Sequence, residues 1–136
     1  MERLAYILDT NTVADYLNHF EPTTARIKQV IQDGNVLYLC QPVIYEVLRG
    51  LIKTGAIRKR HAFETQFVPQ LSRLSIVDGD WQQAAQFWAD ASNIGKQLSD
   101  VDLLIAAIAH RMGGVVVSAD ADFDALPVRR ENWRER

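Results

Sequence analysis

Four acidic residues stand at points where a buried segment begins or ends: Asp9, Glu46, Asp102 and Asp120. Asp9 and Asp120 each follow an apolar run, Glu46 comes soon after a second such run, and Asp102 directly precedes the segment LLIAAIA. Each residue also has an ordinary structural explanation, as a helix cap, a turn residue or a solvent-facing side chain. Taken singly, none of the four separates a chemical role from a structural one.

Convergence of these carboxylates would point to a bound cation. Two carboxylates about 4 Å apart repel by roughly 4 kcal/mol at an effective dielectric constant near 20, and a domain is stable by only about 5–15 kcal/mol. Such a cluster therefore has raised pKa values or binds a metal ion. Because the donors are hard oxygens without histidine or cysteine, the sequence favours one or two Mg²⁺ or Mn²⁺ ions over Zn²⁺.

Hydrolysis of a phosphodiester bond is the chemistry that suits such a site. A divalent ion activates water and stabilises charge on the phosphate, and one carboxylate accepts the water's proton. No covalent nucleophile is needed, and none stands out. His19, His61 and His110 lack metal-binding spacing, and the single Cys40 excludes an intramolecular disulfide and two-cysteine motifs. The apolar residues before Cys40 predict a buried, reduced thiol.

Hydrophobic patterning predicts the elements that position these acids. Strands are expected at 3–8, 35–40, 74–78 and 115–120. Helices are expected at 12–20, 24–34, 41–55, 58–71, 81–95 and 99–114. Helix caps are predicted at Thr23 or Thr24, at Asp80, and at the S-x-x-D pair Ser99 and Asp102. Trp81 and Trp88 share a helix face with several alanines and are assigned to the core.

Continuously apolar strands that alternate with helices indicate an α/β fold whose parallel sheet is covered on both faces. No linker, repeat or low-complexity segment interrupts the chain, so a single domain over residues 1–136 is predicted. In such sheets, the active crevice lies outside the carboxyl ends of the strands. Asp9 and Asp120 are expected at that edge.

Composition is that of an ordinary globular domain, with 48% hydrophobic and 24% charged residues, which excludes a disordered chain. The N-terminal MERLAYILD reaches an acid too early for a signal peptide, so none is expected. The run LLIAAIA is too short to span a bilayer. We therefore expect a cytoplasmic protein with no membrane partner.

A basic segment follows Glu46 even though the net charge of the chain is −2. Between residues 47 and 63 there is no acid, while five cations occur: Arg49, Lys53, Arg58, Lys59 and Arg60. A charge run of this kind is commonly a solvated face. If it borders the acidic site, it would instead hold nucleic-acid phosphates in a salt-sensitive, sequence-independent way.

Three segments together resemble the signature of PIN-domain ribonucleases, and within them the VapC-type toxins of bacterial toxin–antitoxin pairs. These segments are YILDTNTVADYL, the acid within VIYEVLRGL, and LSDVDLLIAAIAHRMGGVVVSADADF. The resemblance extends from Leu4 to Leu126 in the expected order. It implies a PIN-like three-layer α/β/α sandwich around a central, mostly parallel sheet of four to five strands.

The resemblance also assigns roles by position. It implies that Asp9, Glu46, Asp102 and Asp120 are the metal-binding, catalytic acids. Asn11 and Ser118 are implied to support them, with Asp100 and Asp122 as additional acids nearby, so the choice between Asp120 and Asp122 stays open. An RNA substrate, Mg²⁺ or Mn²⁺, a cognate antitoxin protein and a homodimer are the implied partners.

Three other functions fit parts of the pattern. A PIN-fold enzyme of RNA processing would need no antitoxin. A non-catalytic binding module would keep the fold with a structural ion. A phosphatase with an aspartyl nucleophile would use Asp9, but that chemistry usually has a second acid two residues later, where this chain has Asn11, and a supporting lysine is not evident. The intact acid set favours the nuclease.

Overall fold

A computed structural model describes residues 4–135 and contains one five-stranded sheet in which all neighbouring strands are parallel. The strands are β1 (Ala5–Leu8), β2 (Val36–Cys40), β3 (Ser72–Leu74), β4 (Val115–Val117) and β5 (Arg129–Glu131). Their spatial order is β3-β2-β1-β4-β5. β1 and β4 are apolar and almost fully buried, as expected for strands covered on both faces.

Six α-helices connect and cover the strands. They are α1 (Thr10–Leu17), α2 (Glu21–Gln32), α3 (Gln41–Thr54), α4 (Ile57–Ala62), α5 (Asp78–Asn93) and α6 (Asp100–Met112). A π-helical turn (Phe63–Phe67) and a 3₁₀ turn (Val68–Gln70) prolong α4, and a second 3₁₀ turn (Ala121–Ala125) follows β4. The predicted three-layer α/β/α architecture is confirmed. No helix within residues 4–135 combines the length and hydropathy that a membrane span requires.

All four predicted strands differ from the structure in their bounds, and β5 was not predicted. The first strand begins at Ala5, and Arg3, which the prediction included, lies outside the described residues. The second begins at Val36 and not at residue 35, and the fourth ends at Val117 and not at residue 120.

The third strand was expected at 74–78 but occupies Ser72–Leu74, while Asp78 already belongs to α5. A strand of three residues, of which Ser72 and Arg73 are exposed and only Leu74 is partly buried, carries too little hydrophobic pattern to mark its position.

Two predicted cap residues do not occupy the N-cap position of their helices, although Asp80 still caps the Val77 backbone N–H from within the helix. α2 begins at Glu21 without a side-chain cap, and Thr23 instead donates a hydrogen bond to buried Asp15 at 3.0 Å. Asp80 is an internal residue of the first turn of α5. Its carboxylate accepts from the Val77 backbone N–H at 3.0 Å and pairs with Arg111 of α6 at 2.9 Å. Asp80 therefore ties two helices together.

The assignment of Trp81 and Trp88 to the core is also wrong. Their side chains are 57% and 59% exposed, whereas Ala84, Phe87 and Ala91 form the buried face of α5. The helical period places both sets within one broad stripe and does not say which edge of the stripe is buried against the rest of the protein. α5 consequently presents two large aromatic side chains to solvent.

The sheet order creates a crevice between β1 and β4. β1 lies at the centre of the sheet, the chain leaves it towards β2 on one side, and β4 pairs with it on the other side. Leu8 is in register with Val117, so the next residues, Asp9 and Ser118, emerge side by side at the carboxyl ends of the two strands. A reversal of strand order is the position at which α/β sheets bind ligands.

The turn that leads into β4 depends on two glycines. Gly113 ends α6 in the left-handed region at φ 61°, which glycine adopts without strain. A Cβ on Gly114 would lie only 2.7 Å from the Ile7 side chain and 2.8 Å from the Ala5 carbonyl oxygen. This close approach allows β4 to pair with β1, which brings Ser118 beside Asp9.

Candidate active site

Asp9 is a buried carboxylate held by three donors at the end of β1. The Thr10 backbone N–H donates to Oδ1 at 2.7 Å, so Asp9 caps α1. The Ser118 hydroxyl and the Asn11 side-chain amide donate to Oδ2 at 2.6 and 3.2 Å. Burial raises the pKa of Asp9, and the charges of Glu46 and Asp120 act in the same direction, while the Ser118 and Thr10 hydrogen bonds oppose it.

Ser118 links the ends of β1 and β4. Its hydroxyl is fully buried, donates to Asp9, and accepts from the Asn11 amide at 3.1 Å and the Asp120 backbone N–H at 3.0 Å. Asn11 completes the link, because its carbonyl oxygen accepts from the Ala119 backbone N–H at 3.2 Å. Asn11 and Ser118, which were predicted as supporting residues, thus both contact Asp9.

Arg130 of β5 holds the segment that follows β4 in place, and it was not among the residues predicted from the sequence. Its guanidinium donates to the Ser118 carbonyl oxygen at 3.1 Å and to both carboxylate oxygens of Asp124 at 2.9 and 3.0 Å. Because Asp124 lies in the 3₁₀ turn after Asp120, Arg130 clamps the segment that carries Asp120. Nothing in the tail sequence distinguishes this arginine from its neighbours.

Glu46 of α3 is held in position by Thr10, which, like Arg130, was not among the residues predicted for the site. The Thr10 hydroxyl donates to Glu46 Oε1, and Arg49, one turn further along α3, approaches Oε2 at 3.4 Å. The Arg49 guanidinium also lies 5.1 Å from the centre of the Tyr45 ring. Glu46 is therefore aimed towards the end of β1 and is not a freely solvated side chain.

Asp102 lies in the first turn of α6, where the Ser99 side chain contacts both its backbone N–H and its carboxyl group. Ser99 provides the predicted cap by accepting from the Asp102 backbone N–H at 3.1 Å. Burial raises the pKa of the Asp102 side chain to about 7, and the negative charges of Asp9, Asp120 and Glu46 contribute to this shift. The contact between Ser99 and the carboxyl group opposes it, because that contact lowers the pKa of Asp102. Asp102 thus lies within electrostatic reach of the other three acids.

The structure favours Asp120 over Asp122 as the fourth acid. Asp120 influences the pKa values of both Asp9 and Asp102. Its own Oδ1 accepts from the Asp122 backbone N–H at 2.9 Å, so Asp120 caps the 3₁₀ turn and Asp122 is part of that turn. Asp100 is exposed and borders a separate apolar cleft with Trp81 and Trp88.

The site fits a hard cation that is held partly through water. Its four acids, hereafter the acidic cluster, are Asp9, Glu46, Asp102 and Asp120. Within residues 4–135, no three acidic, histidine or cysteine side chains form a ready-made metal-binding group. The ion pairs of that part of the chain include Glu46 but none of the other three acids. Mg²⁺ commonly uses one or two carboxylates with water and substrate phosphate, so a cluster in which three of the four acids make no ion pair in the described chain suits it.

The nucleophilic side chains nearby are already engaged. The Ser118 hydroxyl is buried and makes three hydrogen bonds, and the Thr10 hydroxyl is bonded to Glu46. Cys40 is fully buried as predicted, and burial raises the pKa of its thiol to about 11. The arrangement therefore favours attack by water over a covalent enzyme intermediate.

The predicted basic residues do not form one surface. Arg49 pairs with Glu46 and Arg60 pairs with Glu64 at 2.7 Å. Lys53 is exposed on α3. Arg58 and Lys59 instead line a groove between α4 and the α1–α2 junction, together with Lys28 of α2. Lys28 is distant in sequence and was missed.

Comparison with known proteins identifies relatives over nearly the whole chain. Residues 6–128 match the PIN domain family. The chain is 27% identical over 124 residues to ribonuclease VapC11 of Mycobacterium tuberculosis, which covers 88% of this chain and 90% of that protein.

Solved structures share the fold. The chain is similar to VapBC2 from Rickettsia felis bound to a fragment of promoter DNA, with a TM-score of 0.85, 19% identity and coverage of 96% of this chain and 99% of that one. It is also similar to DNA-bound VapBC from Salmonella typhimurium, with a TM-score of 0.82, 24% identity and coverage of 96% and 98%.

Proposed function

The chain belongs to the PIN domain family, and we propose that it is a divalent-metal-dependent endoribonuclease that hydrolyses RNA phosphodiester bonds. The observation that carries this proposal is the hydrogen-bond network at the carboxyl ends of β1 and β4, in which Ser118 joins buried Asp9 to the Asp120 backbone and Thr10 joins the same strand end to Glu46. The charges of Asp9, Asp120 and Glu46 all raise the pKa of Asp102, which reaches this site from α6. The VapC ribonuclease relative supports RNA as the substrate. The exhausted hydrogen-bonding capacity of Ser118 supports water as the nucleophile.

Each side chain of the site has a role in the proposed reaction. Asp9, Glu46, Asp102 and Asp120 would hold one or two Mg²⁺ or Mn²⁺ ions. A bound ion supplies Lewis-acid stabilisation of the phosphate and lowers the pKa of water. The water oxygen forms a bond to phosphorus as the bond to a ribose oxygen breaks, and a carboxylate of the acidic cluster accepts the water's proton.

Removal of the Ser118 hydroxyl tests how strongly the site depends on its supporting residues. We expect Ser118→Ala to reduce RNA cleavage by about 10- to 100-fold, the effect typical of residues that orient metal ligands. It should also destabilise the fold by about 1–3 kcal/mol, because buried donors lose their acceptor. Cleavage rates and urea unfolding measure the two effects. Ser92→Ala, at an exposed position, should change neither, and wild-type cleavage by Ser118→Ala would contradict the assignment.

We further propose that the protein is the toxin of a toxin–antitoxin pair. The similarity to VapC11 and to two VapBC structures supports this role. A cognate antitoxin protein would then block the acidic cluster, and a homodimer, as the family resemblance implies, would be the working unit. Growth arrest on expression, relieved by co-expression of a neighbouring small gene, would distinguish a toxin from an RNA-processing enzyme.

The nuclease activity is tested with linear and circular RNA of the same sequence. Purified protein is incubated with Mg²⁺, Mn²⁺ or EDTA beside Asp9→Asn protein prepared identically. Cleavage of both RNA forms with either ion, but not with EDTA or with the variant, is the expected result. Cleavage of linear RNA alone would replace the endonuclease with an exonuclease.

Two other results would reject the proposal. Equal cleavage by wild type and Asp9→Asn would place the activity in a contaminant or at another site. If no tested RNA is cleaved but Mg²⁺ raises the melting temperature of the protein, a non-catalytic module that retains the ion is favoured.

A further inference from the structure

A basic groove runs along one side of the molecule between α2 and α4. It encloses about 660 Å³, and its wall includes Tyr16, His19, Lys28, Arg58, Lys59 and Gln66. Lys28 comes from α2, while Arg58 and Lys59 come from α4. The fold thus gathers cations from two helices that lie far apart in sequence.

The charge of this groove is uncompensated. No acidic residue is among its lining residues. Across residues 4–135, the ion pairs shorter than 4.0 Å include neighbouring Arg49 and Arg60 but not Lys28, Arg58 or Lys59. All three are exposed, so their charges face the groove and the solvent. A concave surface lined by one sign of charge concentrates ligands of the opposite sign.

The groove leads to Glu46, one member of the acidic cluster. A smaller cleft of about 220 Å³ is lined by Thr10 and Glu46 at one side and by Lys59 at the other. Leu17, Asn18 and Lys59 line both cavities. A polyanion bound at Glu46 could therefore extend through the cleft into the basic groove.

His19 gives a further indication that the groove wall is specialised. It has φ 57°, and no other non-glycine residue of the described chain has a positive φ. A side chain in the left-handed region is uncommon, and such conformations occur more often at functional sites. Here the conformation forms the turn between α1 and α2, and His19 contributes to the groove.

We propose that the basic groove binds the backbone of single-stranded RNA that flanks the scissile bond, with phosphates contacted by Lys28, Arg58 and Lys59. This proposal rests on the proposed function, because it is the acidic cluster that identifies the polyanion as RNA. Contacts from lysine and arginine to phosphate position a substrate without reading its sequence. Sequence preference would then arise elsewhere in the site.

Binding is tested separately from cleavage by measuring fluorescence anisotropy of a labelled single-stranded RNA in EDTA. The groove variant is Lys28→Gln with Arg58→Gln, and the matched control is Lys96→Gln with Arg73→Gln, which removes the same charges at exposed positions that do not line the groove. Each single-strand phosphate contact contributes about 0.7 to the slope of log affinity against log salt. We expect the groove variant to lose about 1.4 of that slope, to bind at least about tenfold more weakly near 50 mM salt, and the control to match wild type.

The possible outcomes separate this proposal from the nuclease assignment. Equal affinity and salt slope in wild type and groove variant would overturn the groove proposal, whether or not the protein cleaves RNA. Groove-dependent binding without metal-dependent cleavage would support the groove and reject the nuclease. Loss of binding to labelled polyglutamate in the groove variant, with RNA binding unchanged, would assign the surface to an acidic protein segment and overturn the RNA proposal.

Discussion

Replacement of Asp9 with asparagine is expected to reduce RNA cleavage by more than about 100-fold while the fold is retained. Loss of a residue that merely orients a metal ligand typically reduces activity by about 10- to 100-fold, and Asp9 is the most enclosed member of the acidic cluster, at 4% exposure. Asparagine has one acceptor oxygen and no charge, so it cannot replace the carboxylate towards a divalent ion.

The fold should tolerate this change for two reasons. Asp9 is the N-cap of α1, a position at which asparagine and aspartate are about equally favourable. The substitution also removes a buried negative charge that raises the pKa of Asp102. Against this, the Ser118 hydroxyl loses a charged acceptor. We therefore expect a change in unfolding free energy of no more than about 1 kcal/mol.

Cleavage kinetics and urea unfolding of the same preparations measure both parts of this prediction. Asp33→Asn is a suitable control, because Asp33 is an exposed acid at the end of α2 and lies outside the acidic cluster. A variant that unfolds would leave loss of activity uninformative, and circular dichroism identifies that case. A folded Asp9→Asn protein with wild-type activity would remove Asp9 from the catalytic site.

The positions of Asp9 and Asp120 in the fold could be predicted because strand ends are easy to recognise in the sequence. Asp9 and Ser118 each follow an apolar strand, and parallel pairing of neighbouring strands is enough to bring them together. Asp102 was singled out because it directly precedes the apolar run LLIAAIA, while the S-x-x-D pattern predicted the cap that Ser99 makes. The type of element and the position of the site therefore followed from local patterns.

Residues that act across the tertiary structure were not predictable in the same way. Thr10, Lys28 and Arg130 contribute through partners or grooves formed by segments distant in sequence. No local pattern distinguishes them from other threonines and cations. The exposed Trp81 and Trp88 were misassigned for a related reason, since hydrophobic period defines a stripe on a helix but not what covers it.

Replacement of Asp102 with asparagine is expected to have opposite effects on activity and on the stability of the metal-free protein. Cleavage should fall by more than about 100-fold if Asp102 is a metal ligand, for the reason given for Asp9. Without metal, however, the folded protein should become more stable near pH 8. The cause is the raised pKa of Asp102, about 7, which burial and three neighbouring acids produce.

The direction of the pH effect follows from proton binding. The ordinary pKa of aspartate, 3.8, applies to the unfolded chain, so between about pH 4 and pH 7 the folded state binds more protons at Asp102 than the unfolded state does. Stability therefore falls as pH rises through this window and stays low above pH 7. Because Asp102 is only partly buried, solvent screening reduces the effect, and we expect about 1–2 kcal/mol.

Thermal unfolding of wild type and Asp102→Asn at pH 4.5 and pH 8, in EDTA and in Mg²⁺, tests this prediction. In EDTA the variant should be more stable than wild type at pH 8 but not at pH 4.5. Saturating Mg²⁺ stabilises whichever protein binds it, by about 2.7 kcal/mol at 100 times the dissociation constant, so it should close or reverse the difference at pH 8.

Asp100→Asn is the matched control, because it removes an exposed charge from the same turn of α6. If both variants behave alike, the repulsion belongs to the helix terminus and not to the acidic cluster. A gap at pH 8 that is confined to Asp102→Asn and disappears with Mg²⁺ would show that the same charges that weaken the empty fold bind the ion.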